Sequence, residues 1–322
     1  MCRRLNHDVH ECAIGHAKRH HVSIGIALGS GSSRGWSHIG IIRALAEIGV
    51  EPDIVCGCSV GAIVGASYAA GNLNRLERWV TSLTRTDVAR FLDVNLSLSG
   101  FVDSPRLRSF FAENVCAEDI LVERLARTFA TVSTDLETGR EFWFTEGSVL
   151  DAVWASMSLP GLFPPLRFHD KWLVDGGLVN PVPVSLCRAL GADIVIAVNL
   201  NAAIAGRHFI QGNRRASELA PPDSLISTVR KTVRSYSASL FGNAGTGEAA
   251  PGLFDAISGS LNIMQERITR SRMAGDPPDI ILAPRLSHIG LMEYYRAREA
   301  IQEGRECVGR MLPEIRHLLR SA

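Results

Sequence analysis

Neither sign of charge is in excess. Thirty-four Lys and Arg stand against 33 Asp and Glu, a formal net charge of +1 over 322 residues. So weak a field offers no broad attraction to a polyanion, and no nucleic-acid partner is expected. Long apolar runs are also missing. No stretch approaches the ~18 uncharged apolar residues of a membrane span, and Met1-Cys2-Arg3-Arg4 leads into polar residues rather than an apolar signal core. There is no dense cysteine framework. The seven cysteines are scattered and odd in number, and the one-residue spacing of Cys56 and Cys58 suits neither a zinc knuckle nor a thioredoxin-type pair. Both read as small buried hydrophobes, and the cysteine usage fits a reducing compartment. The expectation is a cytoplasmic protein whose membrane contact, where it has one, is peripheral. Glycine and proline, 29 and 14, recur without a period, which excludes collagen-like and low-complexity classes. Nothing identifies a protein partner.

What is present is a chain with 46% hydrophobic residues, enough for a large packed core. Residues 1–21, with five histidines and two cysteines, lack an apolar pattern and read as a flexible tail. Order is expected from Val22. Val22 to Leu28 reads as a short buried strand, broken by Gly29-Ser30-Gly31-Ser32-Ser33-Arg34-Gly35, and Ile39, Ile42, Leu45 and Ile48 then recur at helical spacing. Ile54-Val55-Cys56 opens a second strand, turn and helix. Two such units predict a parallel sheet with covering helices. Residues 73–126 read as helices and loops outside the sheet, anchored by Trp79, Phe91, Phe101, Phe110 and Phe111.

Alternation predicts a hairpin-like pair over 129–134 and 141–145, and strands at Trp172 to Val174, Ile194 to Val198 and Asp279 to Leu282. Val149 to Met157 reads as a helix. Residues 201–223 and 242–251 are polar and Gly-, Ala- and Pro-rich and are expected to be mobile; between them a basic amphipathic helix carries Leu225, Val229 and Val233. Leu253, Ile257, Leu261, Met264 and Ile268 form a further apolar stripe. One closing helix is expected from Tyr294 through Leu319.

The chemistry gathers where strands end. Gly57-Cys58-Ser59-Val60-Gly61 has the G-x-S-x-G form, in which a serine sits on a strained strand-to-helix turn and flanking side chains would collide with neighbouring elements. Its context, an apolar strand before and a small-residue helix after, suits a nucleophile; a helix-capping serine is the plainer alternative. An oxyanion needs preorganised donors, and the Gly29–Gly35 loop supplies backbone amides at a helix start. A dinucleotide fingerprint is disfavoured because Arg34 stands where it requires glycine, and the phosphate-loop Lys-Ser/Thr pair is absent. For a base, His169, His208 and His288 lie downstream, but none is framed by residues that would fix an imidazole. Asp175 is framed: it ends a strand before Gly176-Gly177, so in a parallel sheet it would emerge on the same edge as Ser59. An aspartate that merely starts a turn is the alternative.

These three pieces in this order, with Ser158 to Pro165, resemble the patatin-like phospholipase family, similar in flavour to its bacterial members and to the catalytic domain of neuropathy target esterase. The resemblance runs from about Val22 to Asn199. It implies a three-layer α/β fold, a mainly parallel central sheet with helices on both faces. It implies a Ser59–Asp175 dyad without histidine, an oxyanion loop of Gly29, Ser30, Gly31 and Ser32 oriented by Arg34, an elbow at Gly57 and Gly61, and an Asp-Gly-Gly motif with Gly176 and Gly177. Ser30 stands where many members have a third glycine. A lipid ester is the implied substrate, with no metal and no other cofactor. The expected organisation is a tail at 1–21, a catalytic core at 22–200 and a helical extension at 201–322 packed on the core. Two other readings stay open: a small-ester esterase or thioesterase, and a regulator that keeps the fold but acts by binding protein.

Overall fold

The computed structural model describes residues 22–91, 104–202 and 253–321. Strands β1 (Ile24–Leu28) and β2 (Ile54–Gly57) are joined by helix α1 (Ser37–Glu47), and α2 (Val60–Ala69), α3 (Leu73–Ser82), α4 (Arg85–Phe91) and α5 (Ser104–Asn114) follow. Then come β3 (Thr128–Asp135), β4 (Glu141–Phe144), α6 (Val149–Met157), β5 (Leu166–Phe168), β6 (Lys171–Asp175), α7 (Val184–Ala189) and β7 (Ile194–Val198). The last part holds α8 (Leu253–Gly275), β8 (Ile280–Leu282), α9 (Ala297–Arg310) and α10 (Leu312–Ser321). The tail at 1–21 and the basic helix expected around Leu225 to Val233 lie outside the described residues, as do almost all of the two stretches expected to be mobile.

The sheet is mainly parallel: β1 pairs in parallel with β2 and β7, β2 with β3, and β7 with β8. Its central strands β1, β2 and β7 are short apolar runs buried on both faces, the pattern of a sheet covered by helices on each side, whereas β4, β5, β8 and the start of β6 carry exposed side chains. Side chains alternate. Ile26, Leu28, Val55, Phe129, Ile196 and Val198 pack on one face with Ile39, Val64, Val153 and Ile301 from α1, α2, α6 and α9. Ala27, Cys56, Ala130, Val195 and Ala197 pack on the other with Leu186 and Cys187 from α7. Cys56 and Cys58 are free and buried, which fits their expected role as small apolar fillers. Glycines let α9 cross α1 at backbone contact: a Cβ at Gly40 would stand 1.9 Å from the Ile301 carbonyl oxygen.

The expected hairpin forms, β3 pairing antiparallel with β4. The direction of β6 departs from expectation. It runs antiparallel to β3, because residues 159–170 contribute a short strand, β5, and a tight turn at Phe168–Lys171 rather than a crossover. The Thr128 and Leu136 amides, an even number of residues apart and so on one edge of β3, donate to the carbonyls of Asp53 and Trp172. Thus β2 and β6 occupy successive stretches of that edge and run toward each other, with β4 on the opposite edge. Their carboxyl ends meet beside Val132.

One helical expectation is corrected, and one helix turns an unexpected face inward. The closing helix is two helices, α9 and α10, broken at Met311; Pro313 falls in the first turn of α10, where a missing amide donor costs nothing. The α8 stripe does not simply face the core, since Ile257 and Met264 are 59% and 51% exposed while Asn262, Gln265, Glu266 and Thr269 are buried. In the 73–126 segment Trp79 packs against Trp36 and Phe110, and Phe111 is buried against Trp154; the side chains of Phe91 and Phe101 fall outside the described residues.

Candidate active site

Ser59 sits between β2 and α2 with φ 57° and ψ −122°, a conformation that costs a residue with a Cβ roughly 1–3 kcal/mol. The surroundings enforce it. A Cβ on Gly61 would lie 2.1 Å from the Leu28 carbonyl oxygen, and one on Gly57 would lie 2.6 Å from the Ala62 amide nitrogen, so both positions exclude a side chain. The Cys58 amide donates to the Leu28 carbonyl at 3.0 Å, tying the turn to the end of β1. The Ser59 amide donates to Ser156 Oγ at 3.0 Å, and that hydroxyl donates to the Val132 carbonyl at 2.6 Å.

The Ser59 hydroxyl donates to Asp175 Oδ2 at 2.7 Å, and the Gly177 amide donates to Oδ1 at 2.7 Å. Asp175 is 2% exposed. Burial raises its pKa from 3.8 to about 6, against the opposing pull of those two hydrogen bonds. A carboxylate near pKa 6 is a far better proton acceptor than one near 4. A Cβ on Gly176 would lie 2.1 Å from the Val132 carbonyl oxygen, so the chain can pass there only as glycine.

The glycine-rich loop stands beside the pair, with residues 32–36 in a 3₁₀ turn leading into α1. Of its expected donors, the Gly29 and Ser30 amides are already engaged by the carbonyls of Val198 and Pro181. That narrows the loop's available amides to Gly31 and Ser32, both of which line the cavity. Arg34 is fully buried; its Nε donates to the Gly31 carbonyl at 3.1 Å and its Nη2 to Asn262 Oδ1 at 2.9 Å. Burial without a carboxylate in either contact lowers its pKa to about 9. The Ser32 hydroxyl donates to the Leu291 carbonyl at 2.6 Å and lies 2.7 Å from Tyr294 Oη. A carbonyl accepts only, and serine has one proton, so Tyr294 is the donor to Ser32.

The serine hydroxyl bonds to Asp175 and not to a described histidine. His288 pairs with Glu299, and exposed His169 forms the β5–β6 turn with φ 49°; His208 lies outside the described residues. The histidine that sequence reasoning missed is His38, in α1. Its Nε2 donates to the Gly29 carbonyl at 2.9 Å, and burial lowers its pKa to about 4, so it is a neutral clamp on the glycine-rich loop. Ser156, Asn262, Gln265 and Tyr294 were also missed; each acts across a long sequence separation and has no local signature.

Ser59, Asp175 and the loop form the floor of a cavity of about 800 Å³. Its walls are largely apolar: Val60, Ile63, Met157, Leu159 to Phe163, Leu178, and Ile257, Leu261 and Met264 of α8. Among the described residues no helix is long and apolar enough to cross a membrane, and no group of three or more His, Cys, Asp or Glu is placed to hold a metal ion.

An α/β sheet with a serine elbow, a buried carboxylate and a glycine-rich loop where its strands end has the groups that acyl transfer to a serine requires. The chain belongs to the patatin-like phospholipase family, whose model matches residues 26–188, half of its length. It is 29% identical to an NTE family protein of Mycobacterium tuberculosis, over 88% of this chain and 89% of that one. It is 34% identical to human patatin-like phospholipase domain-containing protein 6, over 55% of this chain but 13% of that much longer protein. The crystal structure of VipD from Legionella pneumophila is similar at a TM-score of 0.42 and 12% identity, covering 91% of this chain and 67% of that one. Family membership supports lipid acyl hydrolysis as the class of activity.

Proposed function

We propose that the protein hydrolyses carboxylic ester bonds of phospholipids, lysophospholipids or related lipids through a Ser59–Asp175 dyad. The observation that carries this reading is the 2.7 Å hydrogen bond from the strained Ser59 hydroxyl to a buried carboxylate on the floor of an apolar cavity. Ser59 Oγ attacks the ester carbonyl while Asp175 takes its proton. The Gly31 and Ser32 amides receive the developing oxyanion, each such donor being worth ~3 kcal/mol of barrier. The protonated Asp175 gives its proton to the leaving alcohol, and as a carboxylate it then activates the water that frees the fatty acid from Ser59.

The cavity walls suit an acyl chain. Exposed Ile257 and Met264 border the same cavity, so its rim can rest on a lipid surface as a peripheral contact. Residues 22–200 carry the dyad, and the part beyond packs onto this core through α8, α9 and β8.

Fatty-acid release from a series of lysophospholipids and short esters tests the reading. Ser59→Ala and Asp175→Asn should each abolish release, and replacement of His169, His208 and His288 should leave it. Loss on replacing a histidine would point to a triad. Preference for short esters would favour a small-ester esterase, and no release from folded protein would favour a protein-binding regulator.

A further inference from the structure

Helix α8 lies outside the segment that matches the family, yet its buried stripe is polar. Asn262, Gln265, Glu266 and Thr269 are each 5% exposed or less, at the i, i+3, i+4, i+7 spacing of one helix face. Buried amides are costly unless paired, and these two are paired with the glycine-rich loop. Gln265 Oε1 accepts from the Ser30 hydroxyl at 3.2 Å and from Asn201 Nδ2 at 3.1 Å. Asn262 Oδ1 accepts from Arg34 Nη2 at 2.9 Å.

The second contact reaches the oxyanion donors through Arg34. Arg34 Nε holds the carbonyl of Gly31, and that carbonyl shares one planar trans peptide with the Ser32 amide, so the two dipoles point opposite ways. Fixing the Gly31 oxygen on Arg34 fixes the direction of the Ser32 N–H. A guanidinium with free rotamers would not do this; Asn262 removes that freedom by holding its far end. Gln265 secures the other side of the loop at Ser30, the position where glycine would offer no hydroxyl.

We propose that Asn262 and Gln265 are positioning residues for the reaction, so that α8 holds the oxyanion loop in its reactive shape. This rests on the acyl-hydrolase reading above. Removing either contact should lower turnover without weakening substrate binding, because the oxyanion exists only after attack.

The test compares full-length wild type with Asn262→Leu, Asn262→Asp, Ser30→Ala, Gln265→Leu and the Ser30→Ala/Gln265→Leu double variant. Fluorophosphonate labelling rate, kcat and KM on lysophospholipid, and thermal midpoint are measured for each. Asn262→Leu should lose ~10-fold or more in kcat and in labelling rate, with KM within about threefold, and Asn262→Asp, which keeps the acceptor for Arg34, should recover most of it. The double variant should be no slower than the slower single one. Folded Asn262→Leu at wild-type kcat, a change confined to KM, or additive Ser30 and Gln265 effects would each overturn the proposal. Should Asn262→Leu fail to fold, the Asn262→Asp, Ser30→Ala and double variants decide alone by the same criteria. A wild type that shows no Ser59-dependent labelling would instead remove the acyl-hydrolase reading and this inference with it. Normal wild-type labelling with unaffected variants removes only the role of α8.

Discussion

Ser156 and Ser59 are joined by a hydrogen bond that spans 97 residues of sequence: the Ser59 amide donates to the Ser156 hydroxyl, which itself donates to the Val132 carbonyl. Val132 lies in the gap where β2 and β6 meet along one edge of β3. One hydroxyl thus satisfies a carbonyl at that gap and the backbone of the strained turn.

Ser156→Ala should therefore cost both stability and rate. Two backbone groups lose their partner, which predicts about 1–3 kcal/mol of destabilisation. With the turn less constrained, kcat should fall by roughly 10-fold while Asp175 is untouched. Chemical denaturation and steady-state kinetics on the same preparation check both numbers.

Activity should depend on a carboxylate that titrates near neutrality. Burial sets the Asp175 pKa at about 6, and only the ionised form can accept the Ser59 proton. The kcat/KM profile should rise from acid pH with an apparent pKa near 6. A rising limb near 4 would mean that the carboxylate is solvated in the free enzyme.

The same shift has the opposite sign for stability. A carboxyl whose folded pKa is raised contributes most below its unfolded value, and the contribution is lost as pH climbs from 3.8 through about 6. Above that range the buried charge costs up to ~3 kcal/mol for a shift of about two units. Asp175→Asn should then abolish turnover yet raise the thermal midpoint at pH 8, its amide oxygen accepting from Gly177 and its NH₂ donating to Ser59. Equal midpoints for variant and wild type at pH 8 would contradict a buried ionised carboxylate.

His38 and His288 should separate cleanly. His38→Ala leaves the Gly29 carbonyl without its buried donor and should cost about 1–3 kcal/mol of stability and part of kcat, without introducing or removing a titration near 6.5. His288→Ala removes an exposed pair with Glu299 and should leave kcat unchanged. A pH profile whose acidic limb disappears in either variant would assign the base to that histidine.

Much of the fold was legible because its signals are local. α6 and β7 fall at the residues expected of them, each an apolar run bounded by turn residues. Ser59 stood out because glycines stand on both sides of it and Asp175 because two glycines follow it, with a strand preceding each. The direction of β6 was not legible, since alternation marks a strand without saying which way it runs; the antiparallel return of β5 and β6 brings Asp175 to Ser59 from the opposite side. The orientation of α8 was not legible for a related reason. Apolar spacing identifies a helix face, but here the buried face meets polar loops, and part of the apolar one borders the cavity. Asn262, Gln265 and Ser156 make their contacts across 228, 235 and 97 residues, distances over which no motif can operate.

The central claim is that Ser59 is the nucleophile. The most direct measurement is intact-mass and peptide mapping of the protein after reaction with a fluorophosphonate, run on wild type and on Ser59→Ala. One adduct per chain, located on Ser59 and absent from the variant, is the expected result. An adduct on another residue, or none on folded wild type that releases fatty acid, would contradict it.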